Sequence, residues 1–131
     1  MAHSYLRVGD GIERIHDIDL LILVHLLVRH AEASGSEQPE LIESLRKTAN
    51  TRGLGVIDLK LNWIVADLSR KAYFLGLLDA VDQELDQMGE TYPVALLKKG
   101  WLTRGVSFSN DYKTALIRSA VSKARNLVKQ S

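Results

Sequence analysis

The chain has 131 residues, 17 Lys/Arg against 16 Asp/Glu, 46% hydrophobic residues and no cysteine. That composition supports one self-sufficient core and excludes intrinsic disorder, disulfide scaffolds, thiolate metal sites and cysteine nucleophiles. The net charge of +1 conceals a split: residues 92–131 carry eight Lys/Arg against one acid, Asp111, a net +7, and residues 1–91 carry nine against fifteen, a net −6.

Such a split points to an anionic partner for the C-terminal part, or to two faces that complement each other. Residues 1–5 show no basic region leading into an apolar one, so no signal peptide is expected. The longest apolar stretch, residues 20–28, is interrupted by His25 and closed off by Asp17, Asp19, Arg29 and His30. It is shorter than the ~20 residues of a spanning helix and reads as a buried core helix. A cytoplasmic chain without a membrane segment is expected.

In chain order, a first helix is expected over residues 11–33, with Asp10 as N-cap, Gly35 as its stop, and Leu20, Leu23, Leu27 and Ala31 along one face. A second helix opens at Ser36, with Pro39 in its first turn and Glu37 and Glu40 at the positive end of its dipole. It ends near Arg52, with Gly53 as the left-handed residue. Over residues 56–88, Ile57, Leu61, Ile64, Leu68, Leu75, Leu78 and Leu85 recur at steps of four and three, with Lys71 and Asp82 in the seam between. That heptad-like stripe predicts a long central helix that the others wrap around, with Ser69–Lys71 or Gly76 as possible breaks and Gly89 as its end. A short helix over residues 93–99 is capped by Thr91 and terminated by Gly100, which lets Trp101 fold back on Leu96. The last helix spans residues 111–129, capped by Ser109 or Asn110, with Leu116, Ile117, Ala120, Val121, Ala124, Leu127 and Val128 as its buried stripe. The expected fold is therefore all-α: a single helical domain over residues 1–131, a bundle of four to five helices.

Three groups of residues carry candidate chemistry. At about 100° per residue, Arg118, Ser122, Arg125 and Lys129 stack on one side of the last helix, preceded by Lys98, Lys99 and Arg104. A basic helix of this kind can follow a phosphate backbone, and a solvated helix face gives the same pattern. Glu13-Arg14-Ile15-His16 has the E-x-x-H spacing that puts carboxylate and imidazole on one helix face, but a helical di-iron site needs two such pairs and the chain has one. His25 and His30, five apart, diverge by about 140° on a helix and cannot share a metal; inside its apolar run His25 reads as a neutral core residue. The acids Glu37, Glu40 and Glu43, followed by Asp79, Asp82 and Asp86, form the oxygen clusters a hard cation wants. The pairs Glu40/Glu43 and Asp79/Asp82 are similar to the E-x-x-E and E-x-x-D pairs with which MazG-type helical nucleotide pyrophosphohydrolases hold Mg²⁺ on facing helices. Here the second pair is Asp/Asp, and the gap between pairs is longer. Gly9-Asp10-Gly11 and Gly53-Leu54-Gly55 lack the strand and the Gly-Lys-Ser/Thr of a phosphate loop and read as turns.

Trp63, Ile64 and Val65 cannot all face one way on a helix. Trp63, with Tyr73 and Trp101, is a candidate contact with a partner or a second subunit. The expected function is a non-enzymatic helical protein-interaction module, in the style of an adapter, inhibitor, immunity or antitoxin protein, acting as a homodimer or on another protein and needing no cofactor. A nucleic-acid-associated protein using the basic C-terminal helix is the alternative, and a Mg²⁺-dependent MazG-like hydrolase the third.

Overall fold

The computed structural model describes residues 3–35, 38–50, 57–99, 101 and 108–131. Among them are six helices and five short strands, so the all-α expectation is corrected to a mixed α/β fold.

The chain opens with a hairpin. Strands β1 (His3–Val8) and β2 (Gly11–His16) pair antiparallel from Val8↔Gly11 to His3↔His16. Gly9 supplies the turn, its φ of +56° at the first central position being what a type II′ hairpin turn demands. A third strand, β3 (Asp58–Lys60), pairs parallel with β1, giving the order β2-β1-β3. Leu6, Ile15 and Leu59 face the core, while Tyr5, Arg7, Ile12, Arg14 and His16 fall on the opposite face by the period-two rule. The first helix therefore begins at residue 17, not 11. The spacing of Ile12 and Ile15 mimics a helix face, but the strand puts Ile12 out and Ile15 in. It also sends Glu13 and His16 to opposite faces, which dissolves the E-x-x-H pair.

Helix α1 (Asp17–Ala33) is the central element in place of the expected 56–88 helix. Every residue from 20 to 28 is buried, and α1 packs against the sheet and against α2 (Pro39–Ala49), α4 (Leu68–Met88) and α6 (Thr114–Lys129). Buried Asp17 at its start accepts from Ser4 Oγ at 2.5 Å, and the same hydroxyl accepts from Ile57 N–H at 3.0 Å. One serine thus ties β1, α1 and the approach to β3.

The expected long helix over residues 56–88 resolves into β3, the single turn α3 (Asn62–Val65) and α4. The break falls at Ala66-Asp67, where the Asp67 carboxylate accepts from the backbone N–H groups of Ser69 and Arg70 and caps α4. These bonds, the Arg70 contact first, hold the Asp67 carboxyl below its ordinary range. Leu68, placed in the expected apolar seam, is instead 84% exposed. Gly76 leaves α4 unbroken, and Gly89, with φ +80°, ends it as expected.

Beyond it, β4 (Thr91–Tyr92) pairs with β5 (Tyr112–Lys113), flanking α5 (Val94–Lys98). Asp111 does not open α6; its carboxylate accepts from Val94 N–H and caps α5. Helix α6 begins at Thr114, whose hydroxyl donates to Gly89 O at 2.6 Å, and buries the stripe read from the sequence except Leu116, which is 42% exposed. It runs antiparallel to β2: Gly11 lies against Leu127, and Lys123 Nζ donates to Arg14 O at 2.9 Å. Ser36, Glu37, Arg52, Gly53, Gly55, Gly100 and Arg104 lie outside the described residues.

Candidate interaction surfaces

The acidic and basic parts of the chain meet in one seam. Arg125 of α6 donates to Asp79 at 2.9 Å and to Asp82 at 2.6 Å on α4, and Arg118 pairs with Asp86 at 2.7 Å. The two arginines of the expected basic line are thus matched by acids of the same chain. The Asp82 bond, ahead of the others, raises the Arg125 guanidinium above its ordinary range. Lys98, Lys99 and Lys129 remain exposed.

The acidic pairs are not brought together. Asp79 and Asp82 hold a guanidinium where a metal would be needed, and Glu43 on α2 pairs with Arg46 at 2.9 Å. Among the described residues no group of three or more His, Asp or Glu side chains is placed to hold a metal ion.

The three aromatic candidates separate. Trp101 turns inward: its ring stacks on His25 with centroids 3.8 Å apart, Phe108 meets it edge-on at 5.0 Å, and Tyr112 meets Phe108 edge-on at 6.1 Å. This ladder ends where the Tyr112 hydroxyl donates to Asp19. Burial, then the nearby Arg29 guanidinium, pushes the His25 imidazole down to about 4. Tyr73 is half-buried beside Gly76, Leu77 and Ala80, in a groove of about 300 Å³ that His30 and Ser34 complete.

Trp63 is the candidate that faces outward, at 40% exposure. The Arg70 guanidinium carbon lies 4.3 Å above its ring, and Arg70 Nε donates to Trp63 O at 3.0 Å. The indole borders a cleft of about 270 Å³ lined by Glu40, Ser44, Leu45, Leu59, Lys60 and Ile64. Exposed Leu68 begins the helix that follows, so α3 and the start of α4 form a corner bearing Trp63, Leu68 and Arg70.

A partly buried polar cluster was not visible in the sequence. Arg29 donates to Tyr92 Oη at 3.0 Å and to the carbonyls of Leu96 and Lys99 at 3.0 and 2.7 Å, closing the C-terminal end of α5. The Tyr92 hydroxyl donates to Glu84, whose other carboxylate oxygen lies 2.6 Å from His30 Nε2. Burial, then the Glu84 carboxylate, raises the Tyr92 phenol well above its ordinary range. Arg29 and His30 close the apolar run of α1, which is the only local signal. Tyr92 and Glu84 are recruited by tertiary packing. No described helix is long and apolar enough to cross a membrane. No protein-family model, curated protein or solved structure matches the chain.

Proposed function

We propose that the chain is a non-enzymatic protein-interaction domain of the cytoplasm that docks a protein partner on the α3–α4 corner. The observation that carries this reading is the presentation of Trp63, with Arg70 stacked on its ring and Leu68, at 84% exposure, five residues further along the chain. Trp and Arg are the side chains most enriched at binding hot spots, and a large apolar residue this exposed gains by being covered. The stacked guanidinium holds the indole in place before binding, which lowers the entropy lost on association. The cleft beside Trp63 offers a pocket for one apolar anchor of the partner. A second copy of the chain is the simplest partner of this kind.

The experiment compares wild type with Trp63→Ala/Leu68→Ser, first by light scattering and then by affinity capture from the native host at low salt. A dimer that becomes a monomer in the variant identifies a second copy. A captured protein lost in the variant identifies a foreign partner, and truncating Trp63 alone should weaken either complex by about 2 kcal/mol, roughly thirty-fold. Identical mass and identical capture for both proteins would remove the corner from the function.

A further inference from the structure

A separate cleft lies elsewhere on the molecule, between β2 and α6. Its volume is about 580 Å³ and its lining is Arg14, His16, Asp19, Leu116, Ser119 and Lys123. That volume is in the range of small-molecule sites.

The order of groups along the cleft follows from the backbone. The turn at Gly9-Asp10 makes Val8/Gly11 a hydrogen-bonded pair, and bonded pairs recur at every second position of an antiparallel ladder. Leu6/Glu13 and Ser4/Ile15 therefore share the ladder bonds, and the main chain of Ile12, Arg14 and His16 faces away from β1. Lys123 reaches the outward carbonyl of Arg14, which fixes its ammonium at that end. Leu116 sits seven residues earlier on α6, about 10 Å along the axis at 1.5 Å per residue. Ser119 lies between. At the Leu116 end, Asp19 contributes a carboxylate positioned by the Tyr112 hydroxyl, and the same contact, after burial, raises the Tyr112 phenol above its ordinary range.

The cleft is thus polarised. Arg14 and the Lys123 ammonium line one end, Ser119 and His16 the middle, and exposed Leu116 with Asp19 the far end. A simple anion would use only the first end and leave Ser119, His16, Leu116 and Asp19 without a role. We propose that the cleft binds a nucleoside monophosphate, the phosphate on Arg14 and Lys123, the sugar hydroxyls against Ser119 and His16, and the base over Leu116 with an amino or ring N–H donating to Asp19. Charge-assisted contacts to phosphate, hydrogen bonds to the sugar and cover for an apolar side chain then fall in the order in which such a ligand presents its parts. The site uses none of the residues of the α3–α4 corner, so it stands or falls independently of docking there.

The test is a titration of the ¹⁵N-labelled full chain with adenosine monophosphate, adenosine and inorganic phosphate in separate arms. The expected result is saturable shifts confined to the amides around Arg14, His16, Ser119 and Lys123, with the monophosphate binding at least ten-fold tighter than phosphate. Lys123→Ala should weaken the monophosphate and phosphate together. Leu116→Ser, a change at an exposed position that leaves the core intact, should weaken the monophosphate and adenosine while leaving phosphate unchanged. Equal affinity for phosphate and monophosphate means an adventitious anion only and overturns the proposal. So does the absence of saturable shifts with the monophosphate at millimolar concentration.

Discussion

Arg125 reaches across from α6 to hold Asp79 and Asp82 of α4 at 2.9 and 2.6 Å, and through it the basic end of the chain is tied to its acidic part. With 21% of its side chain exposed, Arg125 is screened less than a surface residue. Arg125→Ala should lower stability by about 1–2 kcal/mol, the range of a two-pronged, partly desolvated contact rather than of an exposed pair. For a chain of this size the melting temperature should fall by roughly 3–6 °C. Arg118→Ala, at the more exposed Asp86 pair, should stay within about 0.5 kcal/mol. Equal losses from the two variants would show that the seam is not graded by burial.

His25 gives the fold a sensitivity to acid. Its imidazole is held down to about 4 in the folded chain, against 6.5 for the ordinary group. Between these values the unfolded chain binds the proton and the folded chain does not. Stability from this residue is therefore complete above about pH 6.5 and is lost as the pH falls towards 4, by up to about 3 kcal/mol. His25→Phe keeps a ring against Trp101 and removes the titration. Denaturant unfolding from pH 4 to 7 should show a flatter pH slope for the variant than for wild type.

Tyr92 is the hub of the partly buried polar cluster, accepting from Arg29 and donating to Glu84. Tyr92→Phe keeps the ring and removes both bonds, leaving the partly buried Glu84 carboxylate and Arg29 guanidinium each one partner short. The expected cost is about 1–3 kcal/mol. Thermal denaturation near neutral pH measures it, and a change below 0.5 kcal/mol would mean that water replaces the hydroxyl.

Two glycines should respond with opposite signs. A Cβ at Gly9 meets nothing within 4 Å, so the cost of Gly9→Ala is conformational: φ is +56°, and the strain should be about 1–2 kcal/mol. A Cβ at Gly76 also meets nothing, but in the middle of a regular helix. There Gly76→Ala should add about 0.5–1 kcal/mol of stability. Urea midpoints of the two variants give the comparison directly.

The helices with a clean 3.6-residue stripe were legible in the sequence, and those without one were not. Helix α6 buries Ile117, Ala120, Val121, Ala124, Leu127 and Val128 as its spacing requires, and Pro39 and Gly89 mark a helix start and a helix end as read. The hairpin was missed because residues 11–16 lead without a break into the apolar run of α1, so one helix from residue 11 to 33 absorbs them as its first turns. The Gly9-Asp10 pair was the available signal, since glycine at the first central position favours a tight hairpin. The 56–88 segment misled for a related reason: a four-and-three repeat of leucines does not require continuity, and Asp67 placed just before Leu68 caps a helix rather than extending one. The charge split was visible and its destination was not, because pairing of Arg125 with Asp79 and Asp82 depends on how α4 and α6 meet. Trp63, Tyr73 and Trp101 read alike as contact candidates, and the sequence does not separate exposed Trp63 from inward Trp101, whose partner His25 lies 76 positions away in the chain.

Ser4 joins elements that are remote in sequence, its hydroxyl accepting from Ile57 across 53 positions. Bringing those positions together costs about 3.5 kcal/mol of loop entropy by the (3/2)RT ln n estimate, before any contact repays it. The β1–β2 hairpin needs only its two-residue turn and can form within microseconds. Loop closure thus favours pairing of β1 with β2 before β3 is added. Until then β1, which ends as the centre of the sheet, is an open edge. A chain in which only the hairpin has formed therefore offers as an open edge the strand that the finished sheet covers on both sides.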